Sequence, residues 1–253
     1  MFKKYGKTNI VVCNDYEELG KIAATEIGTK IRALQAVVEE VKIIFAAAES
    51  QMSFLKALSV EKNIDWQRII CFNMDELHGE NLPARFTCAG ITDKLLYEKV
   101  KPKEIHLINA NAVNPLLEAE KFERLLRKYM PINIVCMGIG ISGHIALNEP
   151  GECQFDDNKL VRVVNLSAES ERQLLTDPNF QELGYIPRQG ITMTLPALMS
   201  AEYIYTIVPL PSKKDILRRL FSQDAATEKL PASILREYAG TMFIDKDSCP
   251  WSK

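Results

Sequence analysis

Three observations predict an α/β fold, a single doubly wound, mostly parallel sheet with helices on both faces. Short runs rich in β-branched residues alternate along the chain with longer amphipathic segments. The short runs are apolar almost throughout, as strands covered on both faces are. No Pro/Gly/Ser-rich linker, low-complexity stretch or internal repeat breaks the alternation, so residues 1–253 read as one domain large enough to bury a substantial core.

Thr8 to Cys13 (TNIVVC) reads as a strand, and Asp15 with Glu18 three residues on offers a capping box for the helix that follows. Leu19, Ile22, Ile27, Ile31, Leu34, Val38 and Val41 then recur at the steps one buried helix face requires. Val41 to Ala48 (VKIIFAAA) is a buried strand, SQMSFLKAL begins a helix, and Arg68 to Met74 is again strand. Ala84 to Lys99 is mostly helix, Ile105 to Asn109 strand, Pro115 to Tyr129 helix and Ile132 to Met137 strand. Beyond residue 150 come LVRVVNL as a strand, a polar helix near Ser167 to Leu175, then ITMTL and AEYIYTIVPL as strands. Ser212 starts the helix KKDILRRLF, and TMFID is a short last strand. In such a sheet, sites are expected where the carboxyl ends of the strands meet loops.

Composition narrows the function classes. The 31 Lys+Arg against 33 Asp+Glu leave a net charge of -2, with no run of five like charges, which disfavours a nucleic-acid footprint or binding to an acidic membrane. Hydrophobic residues at 47% and charged ones at 25% are those of a soluble globular protein. The six cysteines (Cys13, Cys71, Cys88, Cys136, Cys153, Cys249) form no CxxC pair and no close Cys/His set, so a reduced, cytoplasmic protein without a zinc site is expected. Cys71 and Cys136 lie in apolar runs and read as small core residues. The amino terminus shows no signal-peptide pattern, and no stretch approaches the roughly 18 apolar residues of a membrane span.

Glycine is unevenly spread. Gly138, Gly140 and Gly143, three of the twelve, fall within six residues inside GIGISGH. The spacing matches the GxGxxG dinucleotide fingerprint after a strand, but Pro150 stops any long helix, and Asp156 and Asp157 precede the next strand instead of ending one. Nicotinamide binding is therefore disfavoured. The segment does place polar side chains on a tight turn: one helical turn would bring His144 near Asn148, with Glu149 within reach. The plain alternative is a surface histidine followed by capping residues.

A second constellation is FNMDELHG, where an apolar strand ends in Asp75 and Glu76, followed by His78. Burial at a strand's carboxyl end can raise a carboxylate toward the pKa of a working base, although strand-exit acids often merely cap a turn. A third is PLPSKKDILRRL, where a helix start and two lysines, Lys213 and Lys214, suit an anion such as phosphate.

FNMDELHG together with GIGISGHIALNEP resembles the glucosamine-6-phosphate deaminase/isomerase family, and the order of elements fits it from about residue 10 to residue 245. The resemblance implies the modified Rossmann-like sheet which that family shares with 6-phosphogluconolactonase. It implies Asp75 as the base that moves a proton between C2 and C1 of the open-chain sugar, with His144 and Glu149 as the pair that opens the pyranose ring. Ser50, Gln51, Glu76, Gly140, Ser142, Gly143 and Lys214 then line or hold the substrate, a phosphorylated amino sugar that would lose ammonia. No metal or organic cofactor is implied, and a homo-oligomer is left open.

The chain departs from the family pattern twice. Ser142 stands where the family has Asp or Asn, and Ala46-Ala47-Ala48-Glu49-Ser50-Gln51 replaces a Gly- and Thr-rich phosphate turn. The family's phosphate arginine aligns best with Glu171, with Arg172 one residue off. ITMTLPAL and VPLPSKK are also similar to 6-phosphogluconolactonase, which leaves a lactonase-like hydrolase using His144 as one alternative and a non-catalytic sugar-phosphate sensor as another.

Overall fold

Asp15 starts the first helix as its position predicts, its carboxylate accepting from the Glu18 backbone N–H, while Glu18 reaches back to the Asn14 backbone N–H. The computed structural model describes residues 3–176, 180 and 182–252. In chain order these form β1 (Lys3–Tyr5), β2 (Thr8–Cys13), α1 (Tyr16–Gln35), β3 (Val41–Phe45), α2 (Met52–Leu58), β4 (Ile69–Asn73) and β5 (Asp75–His78). There follow α3 (Cys88–Thr92), a π-helical turn (Asp93–Tyr97), α4 (Glu98–Val100), β6 (Glu104–His106), α5 (Pro115–Tyr129), β7 (Ile134–Met137), β8 (Val161–Asn165) and α6 (Ala168–Thr176). The remaining elements are β9 (Gln189–Met193), α7 (Leu195–Met199), β10 (Tyr203–Val208), α8 (Lys214–Phe221) and β11 (Gly240–Asp245).

The expected parallel sheet is present with strand order β1-β2-β11-β10-β7-β3-β4-β6, in which only β1 runs antiparallel to its neighbour. Its inner strands β3, β4 and β7 are apolar because helices cover both faces. Leu19, Ala23, Ile27 and Ile31 of α1 pack with Phe54 and Leu58 of α2 over one face. Phe122 and Leu126 of α5, Leu198 of α7 and Leu217 and Leu220 of α8 cover the other. Each such leucine, isoleucine or phenylalanine contributes about 1.5–3 kcal/mol by leaving water. Cys71 and Cys136 are fully buried within the first of these faces, and burial pushes both thiols up, as inert core residues require.

Three strands do not join this sheet. β5, β9 and β8 form a separate antiparallel sheet in that order, so ITMTL pairs with LVRVVNL on one side and with DELH on the other. A short apolar run does not say which sheet it enters; pairing with β5 decides it. The chain passes from one sheet to the other at Met74, whose N–H donates to Phe45 of the large sheet and whose carbonyl accepts from Met193 of the small one. That crossing sets the direction of the next side chain, Asp75. Two elements also end earlier than their patterns suggest: α1 stops at Gln35 and β3 at Phe45, and residues 46–48 form a loop before a 3-10 turn (Glu49–Gln51) leading into α2. Among the described residues no helix is long and apolar enough to cross a membrane.

Candidate active site

Strands β10, β7, β3 and β4 are consecutive in the sheet, and their carboxyl ends open on one cavity of about 240 Å³. Ala47, Ser50 and Gln51 come from the segment after β3, Asp75 from the start of β5 just beyond β4, Gly140 and His144 from the turn after β7, and Lys213 from the segment after β10. Leu166, Ser170 and Leu174 line it from the β8–α6 side. A larger hollow of about 620 Å³ along α1, lined by Lys21, Glu26, Lys30 and Tyr205, contains none of these groups.

Along β5 successive side chains point to opposite faces, which separates the two adjacent acids. Asp75 lines the cavity, and among the described residues its hydrogen-bond contact is the Cys88 thiol at 4.0 Å. Burial raises its carboxyl to about 6, against the pull of His144. Glu76 turns the other way and accepts backbone N–H groups from Leu77 (3.0 Å), Cys88 (2.9 Å) and Ala89 (2.9 Å), fastening the start of α3 to β5. Burial still carries Glu76 up to about 8. Glu76 was expected to bind substrate and instead holds the scaffold, because strand parity points it away from the cavity. His78 likewise bonds the Ala112 carbonyl (2.8 Å).

The turn after β7 needs its glycines for two different reasons. Gly143 has φ +95°, a left-handed conformation that a side chain would strain, and a Cβ there would also meet Leu230 at 2.3 Å. At Gly140 a Cβ would lie 2.0 Å from the His144 Nε2, so a bare Cα is what admits the imidazole. No helical turn forms; the 143–149 backbone closes with Ala146 at φ +54° and a bridge between Ile145 and Asn148. Asn148 is consequently drawn inward, its amide donating to the Ile145 and Met193 carbonyls (both 2.9 Å), and only Glu149 reaches the imidazole.

His144 Nδ1 stands 3.2 Å from Glu149 Oε1 and 2.8 Å from Ser142 Oγ. The Ser142 hydroxyl donates to Glu149 Oε2 (2.9 Å), and Ser170 Oγ of α6 donates to Oε1. Burial alone would raise the Glu149 carboxyl, but the contacts with His144, Ser170 and Ser142 together hold it at about 2. The carboxylate is thus a fixed anion opposite the imidazole, with the Ser142 hydroxyl in contact with both.

At the other end of the cavity, Gln51 Nε2 donates to the Ile207 carbonyl and to Ser50 Oγ (both 3.0 Å). Ser50 therefore accepts from Gln51, and among the described residues no acceptor takes its own proton at the cavity wall. Lys213 is the cation lining the cavity, and burial lowers its ammonium while Glu49 raises it. Lys214, the expected anion ligand, donates to the Ser252 carbonyl (3.3 Å) instead. The reason is local: Pro211–Lys213 form a 3-10 turn after Leu210 at φ +85°, and α8 starts one residue later, rotating Lys214 toward the carboxyl-terminal segment. Arg172 is exposed on α6 and is not among the cavity's lining residues.

Sequence reasoning missed Ser170 and Cys88, for which no motif carried a signal. The PSKK motif pointed to both Lys213 and Lys214, and the family resemblance selected Lys214, whereas Lys213 is the one that lines the cavity. No group of three or more His, Cys, Asp or Glu side chains among the described residues is placed to hold a metal ion.

Comparison with known proteins bears on the family and the fold. The family model for glucosamine-6-phosphate isomerases/6-phosphogluconolactonase matches residues 14–244. A glucosamine-6-phosphate deaminase of Lysinibacillus sphaericus is 31% identical over 198 residues, covering 78% of this chain and 86% of its own. That of Alkaliphilus metalliredigens is 28% identical over 249 residues, covering 94% and 97%. Among solved structures, a monomeric glucosamine-6-phosphate deaminase superposes with a TM-score of 0.82 at 23% identity, covering 94% of this chain and 98% of its own. A 6-phosphogluconolactonase from Shewanella baltica superposes at 0.78 with 14% identity, covering 96% and 100%. At those identities the structures speak for the fold, while the family model's span and the curated relatives carry the assignment: this chain is an enzyme of the glucosamine-6-phosphate isomerase/6-phosphogluconolactonase family.

Proposed function

We propose that the protein converts an amino-sugar phosphate, glucosamine-6-phosphate or galactosamine-6-phosphate, to the ketose phosphate and ammonia. The observation that carries this reading is two carboxylates with opposite environments on either side of one imidazole: Asp75 lines the cavity with His144 and is raised to about 6, while Glu149, buried behind His144 and tied to three partners, is held at about 2.

In the reaction, ring opening needs a proton delivered to the ring oxygen and one withdrawn from the C1 hydroxyl. His144 is the group in the cavity suited to exchange both, and Glu149 orients it and balances its charge when protonated. Asp75 then removes the C2 proton, the electron pair moving toward the C1 carbonyl, and returns the proton to C1. The resulting C2 imine takes up water and releases ammonia, so sugar phosphate and water give ketose phosphate and ammonia. At pH 7 a carboxyl titrating near 6 is mostly ionised and still basic enough to act. Lys213 and the free Ser50 hydroxyl hold the phosphate.

A lactonase reading draws support from the structural neighbours named as 6-phosphogluconolactonases. Hydrolysis of a lactone needs an imidazole to activate water, and it leaves Asp75 without a task. One assay separates the two. The protein is given glucosamine-6-phosphate, galactosamine-6-phosphate and 6-phosphogluconolactone while ammonia, ketose and acid are followed. Ammonia with ketose phosphate supports the deaminase; acid from the lactone without ammonia overturns it.

A further inference from the structure

Ser170 enters the site from α6, 21 residues beyond the carboxylate it touches. Its hydroxyl donates to Glu149 Oε1, the same oxygen that faces His144 Nδ1, while Ser142 holds Oε2. The two serines grip the carboxylate from both sides. Ser170 is itself set: its N–H donates to Ser167 Oγ (3.1 Å), and the Ser167 hydroxyl donates to its Oγ (3.1 Å), which leaves the Ser170 proton for Glu149. With Ser142 alone, the carboxylate could pivot about one bonded oxygen, and Oε1 would leave the line to the imidazole.

We propose that Ser170 is a positioning residue, which fixes the Glu149 carboxylate in line with His144 and so ties α6 to the proton-transfer pair. This rests on His144 and Glu149 acting together in ring opening. It adds a third anchoring point to that pair in a chain whose residue 142 is a neutral hydroxyl.

The test is a double-mutant cycle of Ser170→Ala and Glu149→Gln, with Ser170→Thr as the conservative variant, read by steady-state ammonia release and by thermal melting. Ser170→Ala is expected to lower kcat about five- to tenfold with KM within about twofold. Ser170→Thr, which keeps the hydroxyl, restores kcat to within about twofold of the unaltered protein. In the Glu149→Gln background the alanine substitution changes kcat by less than about twofold, and the double variant melts no lower than Glu149→Gln alone. A full kcat in Ser170→Ala, a rise in KM with kcat unchanged, no recovery by threonine, or additive losses in the cycle would overturn the proposal. If no sugar phosphate yields ammonia, the functional reading fails; the melting cycle then decides the Ser170–Glu149 contact by itself.

Discussion

Two segments set a carboxylate near the His144 imidazole, Asp75 in the cavity and Glu149 behind the ring, and treat them in opposite ways. Where the chain crosses from β4 to β5, Asp75 faces the cavity beside apolar groups and a thiol, and desolvation raises its carboxyl to about 6. In the turn after β7, Glu149 is almost fully buried, yet His144, Ser142 and Ser170 hold it at about 2. Desolvation acts on both; hydrogen bonding to the charged form acts on one. Residue type does not separate a base that must gain and lose a proton from an anion that must keep its charge. Partner count does.

The contrast is easiest to break at Asp75. Asp75→Asn is expected to lower deaminase turnover by about 10³-fold or more, the scale of a lost general base. It should also stabilise the fold at pH 7 by about 1–2 kcal/mol. The sign follows from linkage: a carboxyl at about 6 in the fold and 3.8 unfolded binds more protons when folded, so stability is lost as pH rises through that window. Asparagine removes that cost, and its advantage should vanish near pH 4 in urea titrations. An advantage that is absent at pH 7 would mean that burial does not set Asp75 apart.

Glu149→Gln should do the reverse for stability. We expect about a 10²-fold loss of kcat and a fold weakened by about 1–3 kcal/mol at pH 7. Because the folded carboxyl is depressed, that contribution is complete above 4.5 and fades as pH falls toward 2. If both substitutions shift stability in the same direction at pH 7, the division of roles is wrong.

Lys213→Ala is expected to raise KM roughly 10- to 100-fold with a smaller effect on kcat, the loss of one charge-assisted bond to an anion, while Lys214→Ala stays within about twofold. Equal effects would place both lysines on the ligand. The smallest effect is the pH profile: kcat/KM should fall about tenfold per unit below pH 6 as Asp75 takes its proton. A flat profile down to pH 5 would remove Asp75 as the group that titrates.

The anion end offers a second contrast with the proton-transfer end. Glycines remain at 138, 140 and 143, where Gly140 makes room for an imidazole and Gly143 turns the chain at φ +95°. The 46–48 loop has alanines instead, and the polar groups beside it are side chains: Gln51 donates to Ser50, and Lys213 lines the same cavity, the set proposed to hold the phosphate.

The elements themselves were legible in local pattern. The capping pair Asp15 and Glu18, the apolar steps of α1, the bounds of α5 and the apolar strands β3, β4 and β7 rest on interactions within a few residues or on burial on both faces, which composition records directly. Asp75, His144 and Glu149 stood out as chemistry-bearing types at a strand end and on a glycine turn, and the fold puts Asp75 and His144 in one cavity with Glu149 against the imidazole. What a residue faces was not. Antiparallel pairing of β5 with β9 sent Asp75 into the cavity and Glu76 out of it, and the start of α8 one residue late exchanged Lys214 for Lys213. Sequence therefore determined which elements form and which groups the site draws upon. Tertiary structure decided their partners, because a side chain's direction and a contact spanning 21 residues, such as Ser170 on Glu149, depend on how sheets and helices pack and not on neighbours in the chain.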